Sequence, residues 1–357
     1  MIKVTKTFLP PQEEYQAILK KAWDANWITN RGPLIQELEG KLKSYLSVPN
    51  IIATTNGTLP LQIAIKALNL KGEIITTPFS YVATTSSIKW EGCTPVFVDI
   101  HPEYLTIDET KIEAAITSKT SAILATHVFG NPCNVEKIEA IANKHDLKVI
   151  YDAAHCFGVS YKGRSVFNFG DVSTCSFHAT KLFHTGEGGA LFTKSDTLND
   201  KLFYHHNFGH DGPEAFQGIG INAKMSELQG AMGLAVLPYM EDILNKRKII
   251  CDNYTTAFKN SSLQLLKIRK HTDWNYSYYP AIFQDEKQLL KVQEALMKKQ
   301  INTRRYFYPS LNNIIYVKKD EKVISDHISK RILCLPLYHD LPITDVQRII
   351  SIILEQL

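Results

Sequence analysis

The sequence predicts an α/β fold: a large domain with a mostly parallel central sheet covered by helices, then a smaller C-terminal α+β domain. Three observations carry this. Apolar runs of strand length alternate with helical patterns from residue 51 to residue 151, the pattern of βαβ units. The periodicity restarts near Pro238, and from about residue 241 a mixed pattern replaces the alternation, dividing the chain into residues 1–240 and 241–357. A hydrophobic content of 44% over 357 residues is enough for two cores.

In chain order, an amphipathic helix at 12–26 is followed by Trp27-Ile28-Thr29-Asn30-Arg31-Gly32-Pro33, which breaks the periodicity before a second helix at 34–46. Strand and helix then alternate: 51–54 with 59–68, 74–77 with 81–90, 96–98 with 109–116, 122–126 with 135–144, and 148–151 before a polar loop. Two further strand-like runs, 172–177 and 188–193, flank a polar, glycine-closed turn that contains Lys181. A glycine-rich loop at 218–221 leads into a helix with Ser226 and Glu227 in its first turn. A connecting helix at 240–258, a strand at 276–283, a helix at 288–298 and a closing helix after Thr344 complete the pattern.

Composition excludes several classes. The net charge of +4 is spread through the chain, and the basic groups at 245–248 and 267–270 read as solvated faces, not nucleic-acid contacts. The N-terminus lacks a signal-like apolar stretch and no run approaches the ~18 residues of a membrane span, so a cytoplasmic protein is expected. Six scattered cysteines without Cys-x-x-Cys pairs suggest neither a metal site nor a disulfide framework.

In parallel sheets ligands bind beyond the carboxyl ends of the strands, and four such ends are chemically unusual here. Thr54-Thr55-Asn56-Gly57-Thr58-Leu59-Pro60 runs into a helix start, serving either as an anion site built on Gly57 and Thr58 or as an ordinary cap. Thr77-Pro78-Phe79-Ser80-Tyr81 offers Tyr81 either to stack on a planar ring or to fill the core. At Tyr151-Asp152-Ala153-Ala154-His155 a buried-type strand ends in a carboxylate that needs a cationic or hydrogen-bonding partner, and His155 is either a second contact or a structural histidine. The fourth end carries Ser176 and, five residues on, Lys181, whose burial would lower its pKa and make the amine nucleophilic. Together these are the parts that hold pyridoxal 5′-phosphate: a helix start and hydroxyls for phosphate, a lysine for the aldehyde, a carboxylate for the ring nitrogen.

The chain also resembles the DegT/StrS-type sugar aminotransferases, within the fold-type I pyridoxal-phosphate enzymes. The likeness runs from Trp27-Ile28-Thr29 through Asn56-Gly57-Thr58, Asp152-Ala153-Ala154-His155, Ser176-Phe177-His178-Ala179-Thr180-Lys181, Thr185-Gly186-Glu187-Gly188-Gly189 and Asn222-Ala223-Lys224-Met225 to Leu335-Pro336-Leu337-Tyr338. The resemblance implies that Lys181 forms the Schiff base, Asp152 pairs with the ring nitrogen, and Gly57, Thr58 and Ser176 hold the phosphate. It implies Tyr81 stacked on the ring, His155 near the 3-hydroxyl, and Asn222 reaching the cofactor of a second subunit in a homodimer with shared sites. Leu182 and Lys224 depart from the asparagine and arginine common in relatives. Lysine rather than histidine at 181 implies an aminotransferase and not a sugar dehydratase.

The expected reaction moves an amino group from L-glutamate to the 4-keto group of a nucleotide-linked 6-deoxy sugar, with dTDP-4-keto-6-deoxy-D-glucose favoured by resemblance and 3-keto or UDP-linked 4-keto sugars as alternatives. Arg31, Lys224, Tyr308, His327 and His339 are the candidates for the sugar pocket. A non-catalytic pyridoxal-phosphate-binding regulator would need a DNA-binding module, and no helix-turn-helix segment is spare. A cysteine desulfurase would need a mobile-loop cysteine, and none of the six stands out.

Overall fold

The computed structural model describes residues 1–317 and 323–357. Helices α1 (Gln12–Asp24) and α2 (Pro33–Leu46) precede the first strand, β1 (Asn50–Thr54). Then follow α3 (Leu59–Ala67), β2 (Glu73–Thr76), α4 (Val82–Trp90), β3 (Thr94–Phe97), β4 (Thr120–Thr126), α5 (Val135–His145) and β5 (Lys148–Asp152). A short hairpin, β6 (Ser160–Tyr161) and β7 (Arg164–Ser165), leads to β8 (Val172–Ser176) and β9 (Gly189–Thr193), and then to α6 (Asp196–His206) and α7 (Glu227–Val236).

The sheet order is β1-β9-β8-β5-β4-β2-β3. Strands β3, β2, β4, β5 and β8 are parallel, while β9 runs antiparallel to both β8 and β1. Reversal of β9 alone has a consequence for the site. It places the carboxyl ends of β1, β2, β4, β5 and β8 on one edge, together with the amino end of β9. Side chains alternate with the period of two that a doubly covered sheet requires. Ile51, Ala53, Ile123, Ala125, Val149 and Tyr151 enter one core, and Ile52, Ala122, Leu124 and Ile150 enter the other.

Helix α8 (Met240–Phe258) begins in the first of these cores, through Met240 and Ile243, and ends in a third, through Ile250, Cys251, Tyr254 and Phe258. The remaining elements are β10 (Gln264–Leu265), β11 (Thr272–Asp273), β12 (Tyr279–Ile282), α9 (Glu286–Lys298), α10 (Val323–Arg331), β13 (Ile332–Leu335) and α11 (Ile343–Leu354). β10, β12 and β13 form a second sheet, while β11 crosses back to pair with β6. Ile2 joins the C-terminal core, where its backbone pairs with the segment at Ile301. A fourth cluster packs Phe79, Val128 and Phe129 from the strand-end loops against Tyr278, Phe307 and Ile332. This cluster fixes the C-terminal half over the edge of the large sheet.

Two sequence expectations need correction, and one helix went unread. The helix at 109–116 is a single 3-10 turn, Glu113–Ala115. The Asp108 carboxylate accepts from the Thr110 N–H and hydroxyl, and the segment closes with three-residue hydrogen bonds before Ile116 becomes extended. The strand at 276–283 starts only at Tyr279, because Tyr276 has φ +52° and the buried Arg247 guanidinium takes the Tyr276 and Ser277 carbonyls. Helix α6, which carries Ser195 as its N-cap and His205 and His206 in its last turn, was not read from the sequence.

Candidate active site

The turn between β8 and β9 is held from both sides. Phe177 N–H donates to the Gly188 carbonyl, Thr185 N–H to Phe177, and Ala179 N–H to Gly186. Phe183 stacks on Phe157 at 4.3 Å between centroids and meets Phe177 edge-on at 5.0 Å. A Cβ on Gly188 would lie 1.9 Å from the Thr185 hydroxyl oxygen, so the turn closes only around glycine. With its neighbours anchored in the core, Lys181 is left to project from a fixed backbone, its N–H donating to the His178 carbonyl.

Lys181 lies in a cavity of about 310 Å³ at the carboxyl edge of the sheet. Its walls include every cofactor candidate on the strand ends: Gly57, Thr58, Tyr81, Asp152, His155 and Ser176. Burial pulls the Lys181 amine below the usual lysine range, with Tyr306 and Asp152 pulling the other way. Among the described residues no hydrogen bond or ion pair engages its Nζ, which sits 5.8 Å from the centre of the Tyr278 ring. The group is therefore a deprotonation-prone amine facing open space, as a nucleophile must be.

Asp152 is 6% exposed, and burial pushes its carboxyl up from the usual range. Hydrogen bonds from the Thr84 hydroxyl to Oδ2 (2.6 Å) and from Ala154 N–H to Oδ1 (3.1 Å) oppose that rise, as does the Lys181 charge. His155 accepts the Phe129 N–H at Nδ1 (3.1 Å), which leaves the ring proton on Nε2. Burial holds it far below the usual histidine range, so it is neutral. Its ring lies parallel to those of Phe129 and Phe307, at 6.1 and 6.0 Å.

At the start of α3 the hydrogen bonds are those of the ordinary cap. The Asn56 carboxamide oxygen caps the helix, accepting the Thr58 and Leu59 N–H groups at 2.9 Å each. Gly57 instead brings the backbone against β8: a Cβ there would stand 2.6 Å from Ser176 Cβ and 2.9 Å from its Oγ. Tyr81 is not in the core. It is the N-cap residue of α4 and 56% exposed on the cavity wall.

The sugar-pocket candidates lie elsewhere. Arg31 pairs with the buried Glu39 at 2.8 Å; Lys224 donates to Asn222 Oδ1 at 2.8 Å and lies over the Phe208 ring. Tyr308 is covered by the Arg305 guanidinium at 3.6 Å, His339 packs edge-on against Phe8, and His327 is exposed on α10. None of the five lines the cavity, and neither does Asn222, which is exposed. The cavity wall also holds residues that the sequence did not single out as site residues, among them Glu187, Arg304, Tyr306 and Phe307. Arg304 lies 4.5 Å from the centre of the Tyr306 ring, carried there by a backbone bridge to Cys334 on β13. Among the described residues no helix is long and apolar enough to cross a membrane, and no group of three metal-ligating side chains occurs.

The donor set fits pyridoxal 5′-phosphate on its own chemistry. A partly exposed amine and a buried carboxylate that form no ion pair among the described residues, with a hydroxyl-lined cradle that a Cβ would fill, are complementary to aldehyde, ring nitrogen and phosphate. Comparison with known proteins points the same way. The sequence model of the DegT/DnrJ/EryC1/StrS aminotransferase family matches residues 11–354. The chain is 39% identical to a dTDP-4-amino-4,6-dideoxy-D-glucose transaminase of Escherichia coli, over 99% of this chain and 98% of that protein. It is 34% identical to a GDP-perosamine synthase of Escherichia coli O157:H7, over 92% and 91%. The solved structure of DesI with its TDP-sugar product superposes with a TM-score of 0.93 at 30% identity, covering 99% of this chain and 93% of that one.

Proposed function

The chain belongs to the DegT/DnrJ/EryC1/StrS aminotransferase family, whose members are pyridoxal-phosphate-dependent sugar aminotransferases, and we propose that it aminates the 4-keto group of dTDP-4-keto-6-deoxy-D-glucose with L-glutamate as donor. The observation that carries the chemistry is the one lysine amine that lines the cavity, shared there with a buried carboxylate. The relatives named for dTDP-4-amino-4,6-dideoxy-D-glucose support the sugar.

Bound pyridoxal phosphate supplies an aldehyde that takes up the amino group and a protonated ring that draws electron density from the reacting carbon. Lys181 would hold the aldehyde carbon, Asp152 the ring nitrogen, and Gly57, Thr58 and Ser176 the phosphate. Tyr81 would stack on the ring and His155 would lie near the 3-hydroxyl, with its Nε2–H free to donate. The Lys181 amine, when free, would be the group placed to accept and return a proton beside the aldehyde carbon, and its lowered pKa favours the neutral form that accepts.

Loss of this amine should abolish turnover and borohydride trapping of the cofactor together in Lys181→Ala. An active variant would overturn the assignment. The sugar is tested by supplying glutamate with dTDP-, UDP- and GDP-linked keto sugars and locating the new C–N bond by NMR. A 3-amino product, or preference for UDP- or GDP-linked substrates, would replace the substrate reading and leave the chemistry standing.

A homodimer with shared sites is part of the same reading. Exposed Trp27, Ile28, Phe208, Phe216 and Ile219, each about half or more exposed, are apolar surface that a second copy would cover. Sedimentation equilibrium giving a monomer at micromolar concentration would refute it. Residues 1–240 are read as the cofactor-binding unit and 241–357 as the smaller unit contributing Arg304 and Tyr306.

A further inference from the structure

Beside Asp152 runs a chain of three buried hydroxyls, Thr84 with Ser80 and Thr126, the last two also on the cavity wall, that the cofactor contacts assigned above do not use. Thr126 Oγ1 donates to Ser80 Oγ at 3.1 Å; Ser80 Oγ and Thr84 Oγ1 are 2.7 Å apart; Thr84 Oγ1 donates to Asp152 Oδ2 at 2.6 Å. Ser80, Thr84 and Thr126 are 1%, 0% and 4% exposed, so solvent does not compete for these bonds. They come from the loop after β2, the first turn of α4 and the end of β4.

Counting protons fixes the direction. A hydroxyl has one proton to donate and two lone pairs to receive. With an ionised Asp152 the Thr84 proton is committed to the carboxylate, so Ser80 must donate to Thr84, and Thr126 to Ser80. Every bond then points toward Asp152. A protonated Asp152 donating at Oδ2 would reverse Thr84 and force the Ser80 proton onto the more distant Tyr81 carbonyl at 3.2 Å. A donor series ending on an ionised acceptor strengthens each bond in turn.

We propose that Thr84, supplied by Ser80 and Thr126, is a positioning residue that keeps the Asp152 carboxylate ionised and in one orientation, ready to pair with a protonated ring nitrogen. This rests on the reading of Asp152 as the ring-nitrogen partner. The titratable groups facing Asp152 are Lys181 from the turn, Cys175 on β8 and Cys156 after β5. Burial holds both thiols in the neutral form, Cys175 at about 12 and Cys156 well above its usual value. Lys181 is the ionic neighbour, and its amine is taken up when the cofactor binds. The hydroxyl chain, with the Ala154 N–H, is what then opposes the burial of the charge.

The test is cofactor affinity of the full-length apoenzyme, measured by fluorescence titration with pyridoxal 5′-phosphate from pH 5.5 to 8.5, beside thermal melting of the same samples. Thr84→Val should weaken binding about tenfold or more at pH 7. It should also move the acid loss of binding to higher pH, because the carboxyl then protonates sooner as pH falls. Thr84→Ser, which restores the donor, should bind within about threefold of wild type, and Thr126→Val should fall between the two. Wild-type affinity and acid limb in Thr84→Val, or failure of Thr84→Ser to rescue, would overturn the proposal. If Thr84→Val does not melt cooperatively, Thr126→Val decides, and its matching wild type in both readouts would overturn it. Asp152→Asn separates the two readings. Unchanged affinity there removes the ring-nitrogen role itself; weakened affinity beside a wild-type Thr84→Val removes only the hydroxyl chain.

Discussion

Gly57→Ala tests the phosphate cradle with one methyl group. The new Cβ would lie 2.6 Å from Ser176 Cβ, 2.9 Å from Ser176 Cα and 2.9 Å from its Oγ. Carbon atoms in contact rest about 3.5–4.0 Å apart, so roughly 1 Å of separation has to be found. Rotating Ser176 does not supply it, because one of the obstructing atoms is its Cα. Moving β8 does not either, since Ser176 is paired with Gly189 on β9, and Gly189 is itself packed against the Asn56 carbonyl, 2.3 Å from where a Cβ would stand. The turn at 56–58 must therefore lift away from Ser176. Overpacking of this kind costs about 1–3 kcal/mol, which corresponds to an affinity loss of about 5- to 150-fold if it falls on cofactor binding. The assay is titration of the apoprotein with pyridoxal 5′-phosphate and with inorganic phosphate, with melting temperature as a check on the fold. Gly40→Ala in α2, where a Cβ meets nothing within 4 Å, is the control and should gain about 0.5–1 kcal/mol of stability. Unchanged affinity for both ligands in a folded Gly57→Ala would refute the cradle.

His127 makes acid sensitivity predictable. It is fully buried, accepts the Cys133 N–H at Nδ1 and stacks on Tyr151 at 4.4 Å, and burial lowers its pKa to about 3. The folded value lies below the ordinary value of 6.5, so the stability tied to a neutral ring is complete above that value and is lost as pH falls toward 3, at up to about 1.4 kcal/mol per pH unit. His127→Gln should flatten urea-unfolding stability between pH 6.5 and 4 by close to one proton; an unchanged slope counts against the assignment. Arg247 is buried and donates to the carbonyls of Tyr276 (2.9 Å), Ser277 (2.7 Å) and Leu337 (3.0 Å), tying α8 to the strand carrying Tyr279. Arg247→Met leaves three acceptors unpaired and should cost about 3–5 kcal/mol in thermal or urea melts; a loss below about 1 kcal/mol would show that water or local rearrangement replaces the fork.

The parts of the site that were legible in sequence are those whose physics is local. Asp152 directly follows an apolar run, Gly57 and Ser176 sit at or just past the ends of strand-like segments, and Lys181 is enclosed by a turn whose closing residues are its own neighbours. Tyr81 sits at a helix start within reach of the same strand edge. The hydroxyls linked to Asp152 were not legible, because the bonds join residues 4, 46 and 68 positions apart and no single segment carries a signal. The helix expected at 109–116 failed for a related reason. Its spacing of apolar residues was right, but Asp108 and Thr110 offer the backbone a competing turn.

The sugar side of the cavity shows the same division from the opposite direction. Arg31, Lys224, Tyr308, His327 and His339 were chosen by residue type, and four of them have commitments that type does not reveal. Arg31 neutralises Glu39, whose other oxygen accepts the Ala53 N–H, so this arginine stabilises the approach of α2 to β1. Lys224 is bound to Asn222, Tyr308 lies under Arg305, and His339 packs on Phe8. The polar side chains that do reach the cavity from the C-terminal half are Arg304 and Tyr306, on a segment with no helical or strand period, brought in only because Arg304 pairs with Cys334. A charged residue on an irregular segment acquires its role from the strand it docks on. Here that strand, β13, is itself placed by a core shared between the two halves of the chain. The C-terminal wall of the cavity is thus placed by tertiary packing, whereas its opposite wall is built on the ends of parallel strands, and only the second leaves a continuous trace in the sequence.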